Sequence, residues 1–383
     1  MTLRKTQHLL SRNFILAFFA QFFSSFIFHI LIPTLPIYLT RLGSTEVETG
    51  FLIGVFFFCS LISRPFIGKS IHKLSEKKFM IIGSSIYALA FIAYLLAPPF
   101  WPLFIVRIFH GIGFGFFHTS SFTFIATTAL KAHRGQSLGY FALSSTISAA
   151  LAPPIGMLII NKISFTLLFL FCFFLSLCTL VFASQLEKKE NIQLQDTSYT
   201  RKFFFDLKAI PPSITNSISL FMWGALTAFF PLYALNHGMK NPGLFFSTIA
   251  IMLILGRFFG GRILDAYNRE KVIIPCLIAY FFSVVILAFS KTLPLFILVA
   301  LIWGIGNAFL MPSLLAYVLD REDTSPGIAI GTFTAISDLG ISLGPVIMGI
   351  VIHVGGYQTM FLSLALIGLI NSIIFYIFSR KKG

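Results

Sequence analysis

The sequence predicts an all-α membrane protein with 12 transmembrane helices in two pseudo-symmetric six-helix bundles. Three observations carry that expectation. The composition is dominated by apolar residues, these gather into long runs between short polar segments, and the two halves of the chain resemble each other.

Of 383 residues, 57% are hydrophobic and 11% charged, with 48 Phe. Mean hydropathy is +0.90, whereas soluble domains carry about 25% charged residues. Crossing a hydrocarbon core of roughly 30 Å takes about 20 apolar residues as helix, while a barrel strand alternates over about 10. The runs here are long and unalternated, so they read as helices. The net charge of +15 sits in short clusters between the runs, with no basic domain or tail. It therefore argues topology and not a nucleic-acid partner. Cys59, Cys172, Cys178 and Cys276 lie inside apolar runs and form no CxxC pair, so neither a disulfide framework nor a metal site is expected. No Walker-type phosphate loop or catalytic constellation occurs, which disfavours ATP-driven transport, membrane enzymology and any bound cofactor.

The first span, 14–38, follows the basic flank "MTLRKTQHLLSRNF". It is too long for a signal-peptide core and lacks a small-residue cleavage site, so it reads as an uncleaved helix. Proline, glycine and charge punctuation then delimits spans at 48–69, 79–98, 102–126, 135–159 and 163–184. Residues 185–210, "QLEKKENIQLQDTSYTRKFFFDLKAI", are the longest polar segment. A second set follows at 211–235, 243–264, 272–290, 294–319, 326–352 and 357–378. The expected organisation is an N-terminal bundle over 1–184, a cytoplasmic linker over 185–210 and a C-terminal bundle over 211–383. With the N-terminus inside, Arg4, Lys5, Arg12, Lys69, Lys73, Lys77, Lys78, Lys131, Arg134, Arg262, Arg269, Lys271 and Arg321 all fall on inner segments. The outer loops keep Arg41, Lys162, Lys240 and Lys291. This asymmetry places both termini in the cytoplasm and the chain in the cytoplasmic (inner) membrane.

A shift of 193 residues lays "SRPFIGKSIHK" (63–73) over "GRFFGGRILDA" (256–266), pairing Arg64 with Arg257 and Gly68 with Gly261. The same shift lays "FHGIGFGFFHTSS" (109–121) over "IWGIGNAFLMPSL" (302–314). A shift of 192 pairs Gly135 with Gly327, Gly139 with Gly331 and Pro153 with Pro345. Agreement of separate regions marks an internal repeat. Two six-helix halves of the same sense are parallel repeats, an arrangement that encloses a site near the midplane in carriers.

Three motifs resemble those of the major facilitator superfamily, and within it the twelve-span drug:proton antiporters. The loop after the second span, "GKSIHKLSEKK", resembles the family's G-x-L-a-D-r-x-G-r-k signature through Gly68, Lys73 and Lys77, with His72 at the acidic position. Its copy "GRILDAYNREK" supplies Gly261, Asp265 and Arg269. The resemblance implies cytoplasmic gating loops at Gly68, His72, Lys73, Gly261, Asp265 and Arg269. "VRIFHGIGFG" resembles R-x-x-x-G-x-G, which implies a proton-coupling role for Arg107. The fifth span resembles the antiporter signature G-P-x-x-G through Ala152, Pro153 and Gly156, with Ala152 at the first glycine. That motif leans toward export. The family fold lines its central cavity with spans 1, 4, 7 and 10.

An ionisable group at the bilayer centre costs at least about 2.5–3.5 kcal/mol, so each one asks for a role. Apart from Glu48 on the first residue of the 48–69 span, Asp338 is the only carboxylate inside a predicted span, about 18 Å from the inner end at 1.5 Å per residue. It reads either as a proton carrier or as a fixed polar contact between helices. Arg107 sits about 8 Å deep from the outer side, and His29 is expected at the same level. The two are expected to set the local field and to bind anionic or polar groups. Arg107, Gly111, Gly115 and His118 fall on one helical stripe, with His110, a candidate cavity residue or a packing contact, at its edge. His110 and His118 lie about 12 Å apart along the helix, too far to share a metal ion. Gln21, Asn216, Trp223, Tyr233, Trp303 and Asn307 complete the candidate cavity on spans 1, 7 and 10, each read as either a ligand contact or packing.

The expectation is a monomeric secondary transporter in the lipid bilayer that moves a small organic compound by alternating access, coupled to protons and directed outward. Drug-like compounds, sugar-like metabolites and anionic metal chelators fit the charge balance. The alternatives are a proton-coupled importer of a sugar or organic acid, and a non-transporting receptor or scaffold.

Overall fold

The computed structural model describes residues 11–70, 74–97, 100–129, 133–187, 206–320 and 326–380, and their side chains except at 68–70, 258–266 and 326–327. His72 and Lys73 lie outside the described residues, and Gly68, Gly261 and Asp265 outside the described side chains.

Among the described residues the regular structure is helical. The helices are α1 Arg12–Arg41, α2 Glu46–Ser70, α3 Glu76–Leu96, α4 Trp101–Thr128, α5 Arg134–Lys162, α6 Phe165–Ser184, α7 Ile210–Asn236, α8 Gly243–Ala266, α9 Arg269–Phe289, α10 Leu293–Leu319 and α11 Pro326–Arg380. Ten of them are long and apolar enough to cross a membrane, and α8 contributes the shorter apolar stretch Gly243–Arg257. The 55 residues of α11 would reach about 80 Å if straight, more than twice a hydrocarbon core. The chain turns instead at Gly356, whose φ of 75° and ψ of 179° break the helix. A side chain there would be strained. The arms on either side of Gly356 are the two spans expected at 326–352 and 357–378.

Local chemistry sets the helix ends. Thr45 and Glu48 form a capping box at the start of α2: the Glu48 N–H donates to Thr45 Oγ1 at 3.2 Å, and the Thr45 N–H donates to Glu48 Oε2 at 2.8 Å. Ser164 caps α6 by accepting from the Leu167 N–H at 3.1 Å. Left-handed Gly43 and Gly238 close α1 and α7. After each glycine the next N–H reaches back five residues, from Ser44 to Leu39 O and from Met239 to Ala234 O, both 3.0 Å. The two halves therefore stop their first helix by the same device.

The described residues form two compact units, one within Met1–Leu31 and Phe58–Thr200, the other within Ile32–Phe57 and Arg201–Gly383. The hairpin tip Ile32–Phe57, the end of α1 and the start of α2, thus packs with the second half of the chain, through glycines. A methyl group on Gly54 would lie 2.6 Å from the Ser342 carbonyl, and one on Gly349 would lie 2.6 Å from the Glu46 carbonyl, while Gly50 faces the Pro345 carbonyl. Such backbone-to-backbone contact is the usual means of helix association in lipid, where water supplies no hydrophobic drive.

The repeat extends to side-chain partners. In the first unit Gln21 Nε2 donates to Ser145 Oγ at 3.1 Å. In the second, Asn216 Nδ2 donates to Ser337 Oγ at 2.9 Å, and Ser337 stands 192 residues after Ser145. Tyr87 meets His110 edge-on at 5.2 Å, while Tyr280 stacks on Trp303 at 3.9 Å. Both pairs are related by 193 residues. The first unit's core runs through Leu16, Ala20, Met80, Phe117, Phe124 and Phe141.

Candidate substrate and coupling sites

Two polar groups are built into the first unit. Gln21 on α1 is 1% exposed and fully engaged. Its amide nitrogen donates to Ser25 Oγ (3.0 Å) and Ser145 Oγ (3.1 Å), and its oxygen accepts from Ser121 Oγ (2.8 Å). An amide satisfied on both ends in a buried site serves as a joint between helices. Gln21 thus ties α1 to α4 and α5.

The second group surrounds Arg107, which is 4% exposed. Arg107 Nη1 donates to the Tyr94 hydroxyl at 3.4 Å, and that hydroxyl lies 3.2 Å from His110 Nδ1. His110 is 2% exposed and is enclosed edge-on by Tyr87, Phe91 and Tyr94. The hydroxyl accepts from the guanidinium and shares a hydrogen bond with the imidazole, so one α3 oxygen bridges two α4 residues. His110, expected as a cavity residue or as packing at the edge of the Arg107 stripe, is joined to Arg107 through Tyr94. Replacing Tyr94 with Phe removes the shared hydroxyl, and the expected cost is about 1–3 kcal/mol, the range for a buried polar group losing its partner. A lowered melting temperature of the purified Tyr94→Phe variant checks this.

The rest of the α4 stripe faces α2 and α1. A methyl group on Gly115 would collide with Ser63 Oγ and lie 2.8 Å from the Ser60 carbonyl, so the glycine is where α2 crosses α4. Gly113 packs on Gly83 and Ile86 of α3. His118 is half-buried and stacks on Phe114 at 5.2 Å, which stacks on Phe28 of α1 at 5.0 Å. The imidazole of His29, next to Phe28, bonds through Nδ1 to the Ser25 carbonyl at 2.7 Å. Ala152, Pro153 and Gly156 are buried along one face of α5, a single helix despite Pro153 and Pro154. One turn earlier Ser148 Oγ donates to the Phe22 carbonyl at 2.9 Å.

In the second unit Asn216 is buried with Ser337, as above. Trp303 is 1% exposed, lies between Tyr280 and Trp223 (6.1 Å from the latter), and its indole N–H has no hydrogen-bond partner among the described residues. Asn307 Oδ1 accepts from the Tyr280 hydroxyl at 3.0 Å, and the Tyr233 hydroxyl donates to the Ser290 carbonyl at 2.7 Å. Asp338 is half-buried on the first arm of α11, where Ser342 Oγ donates to its backbone carbonyl at 2.9 Å. Arg269, expected in a gating loop, pairs through Nε with Asp320 Oδ2 at 3.1 Å, linking the start of α9 to the end of α10. Both partners are solvated, so the pair contributes at most about 1 kcal/mol. Among the described residues no group of three His, Cys, Asp or Glu side chains is placed to hold a metal ion.

Tyr94, Ser145, Ser337, Tyr280, Arg64 and Asp320 escaped the sequence reading as site residues. Ser145 and Ser337 carried a signal, since the 192-residue shift that aligns the prolines also aligns them.

A family model described as Major Facilitator Superfamily matches residues 17–321 and 213–383. The staphylopine export protein of Staphylococcus aureus is 25% identical over 338 residues, covering 84% of each chain. The multidrug resistance protein MdtG of Proteus mirabilis is 24% identical over 408 residues, covering 99% of each. Among solved structures, the nucleoside transporter NupG superposes with a TM-score of 0.78 at 17% identity, over 96% of this chain and 99% of that one.

Proposed function

The chain belongs to the Major Facilitator Superfamily and is a multi-pass membrane transporter of small molecules and not an enzyme, and from that premise we propose that it is a proton-coupled exporter. In this reading a small organic compound leaves the cell in exchange for protons, across the cytoplasmic membrane, with both termini in the cytoplasm.

The observation that carries the coupling is Asp338. It is half-buried well inside α11, and among the described residues the other acidic ones fall at helix ends or between helices. A carboxylate in a spanning helix changes its proton affinity with hydration and with the distance of neighbouring cations, so alternation between two accessibilities suffices to load and discharge it. Within the first unit, buried Arg107, held by Tyr94, is a fixed positive charge. The outward direction draws support from relatives whose names describe export and multidrug resistance, and from Ala152, Pro153 and Gly156 on α5.

The sign of coupling tests the proposal. Protein is reconstituted into liposomes loaded with a pH-sensitive dye, and a panel of drugs, sugars and organic acids is added outside. Exchange requires the lumen to become more alkaline as a compound enters. Acidification with entry would identify a symporter and overturn the exporter reading.

A further inference from the structure

The crossing of α2 over α4 does more than pack two helices. Because Gly115 admits Ser63 against its backbone, the next α2 residue, Arg64, is set at the level of the turn that carries His118. From the α1 side, the stacking of Phe28 on Phe114 at 5.0 Å brings His29 to the same place. Arg64 and His29 are both within electrostatic reach of His118, and all three are half-buried. Beneath them runs an aromatic ladder, with His118 stacked 5.2 Å from Phe114 and 4.9 Å from Phe122.

The second unit shows what this crossing looks like without the imidazoles. There Gly256 of α8 meets Ala308 of α10 in the same manner, and Arg257 follows Gly256 as Arg64 follows Ser63. The position equivalent to His118 holds Met311 by the 193-residue shift, and the position equivalent to His29 holds Gly224 by the 195-residue shift that pairs Gln21 with Asn216 and Gly43 with Gly238. The arginine therefore belongs to the repeated scaffold, and the histidines and their ladder are particular to the first unit.

We propose that Arg64, His118 and His29 form a subsite for the acidic group of a transported organic acid, whose planar or apolar body lies along Phe28, Phe114 and Phe122. The assignment rests on reading the chain as a carrier of small organic compounds and gives that carrier a substrate class, carboxylates with an apolar body. The guanidinium supplies a fixed charge and a planar fork of donors that matches a carboxylate. His118 adds an N–H that can be turned to a second oxygen, while His29, whose Nδ1–H is held by the Ser25 carbonyl at 2.7 Å, donates through Nε2 when it is protonated and accepts from the protonated acid when it is neutral.

The probes are 1-naphthoate and 1-naphthamide, equal in ring and size and different in charge. Their equilibrium binding is measured by calorimetry on the purified protein in detergent, with no gradient imposed. The wild type is expected to bind the carboxylate more tightly than the amide. Arg64→Gln is expected to weaken naphthoate by roughly tenfold or more, the loss of a charge-assisted hydrogen bond, and to leave naphthamide unchanged. Arg64→Lys, which keeps the charge and loses the fork, retains part of the preference. Should Arg64→Gln not elute as a single folded species, His118→Gln gives the same readout, with a smaller loss confined to naphthoate. Equal binding of the two probes by the wild type, no binding of either, or equal weakening of both by the variants overturns the subsite. Proton exchange with neutral compounds alongside an absent charge preference would sink the subsite alone. A charge preference without proton exchange would leave the subsite standing and sink the coupling.

Discussion

Asp338→Asn is expected to reduce proton movement to the background of protein-free liposomes while the protein still exchanges labelled compound for unlabelled compound across the membrane. Asparagine keeps the size of the side chain and one acceptor oxygen, and it cannot ionise. It therefore imitates one protonation state permanently. Exchange of compound for compound needs only the return of a loaded carrier and should survive. Net transport driven by a pH difference needs the carboxylate to release its proton, and should stop. A neutral side chain also removes the cost of about 2.5–3.5 kcal/mol that a charge in a spanning segment carries, so yield and melting temperature should not fall. Retained proton movement in a folded Asp338→Asn protein would mean that Asp338 is a fixed contact between helices and that coupling resides elsewhere.

Gly344→Leu is expected to have the largest effect on stability. Along the first arm of α11, Gly340 meets the Ser217 backbone and Gly344 meets the Phe221 carbonyl, while a methyl group on Gly224 of α7 would lie 2.6 Å from the Ile341 carbonyl. The two helices thus touch backbone to backbone, with glycines spaced four apart. Overpacking costs about 1–3 kcal/mol where side chains can yield. Here the obstacle is a helix backbone, so the upper end or beyond is expected, seen as a large drop in the melting temperature or as aggregation. Gly139→Leu is the contrasting case, because Gly139 has nothing within 4 Å of where its side chain would begin, and its melting temperature should stay within error of the wild type. Equal tolerance at the two positions would show that the α7 and α11 contact is not rigid.

The course of the chain was legible because each spanning helix needs its own run of about 20 apolar residues. The expected break between 352 and 357 contains Gly356, and the expected starts at 211 and 294 lie beside Pro-containing helix starts at Ile210 and Leu293. The partners of the polar residues were not legible to the same degree. Arg107 was identified from its motif, yet its hydrogen bond goes to Tyr94, an aromatic residue in an apolar run with nothing to mark it. Which face of α3 turns toward α4 is decided by Gly113 against Gly83, a contact between helices that hydropathy does not encode. Arg64 was visible only as half of a repeated pair with Arg257, because its place beside His118 follows from the crossing at Gly115. Gln21 and Asn216 were visible as polar residues of the lining helices but not their bonds to serines of another helix; the repeat register held that information in the alignment of Ser145 with Ser337.

The packing of the Ile32–Phe57 hairpin against α11 also bears on how the protein is made. Gly54 leaves the ribosome 288 residues before Ser342, the carbonyl it packs against. At about 5–20 residues per second the hairpin waits on the order of 15–60 s for its partner. During that interval its glycine face is exposed to lipid or to whatever assists insertion, with no water to drive it into a wrong contact. The first half of the chain can thus be threaded into the membrane completely and still lack the segment against which the start of its second helix packs.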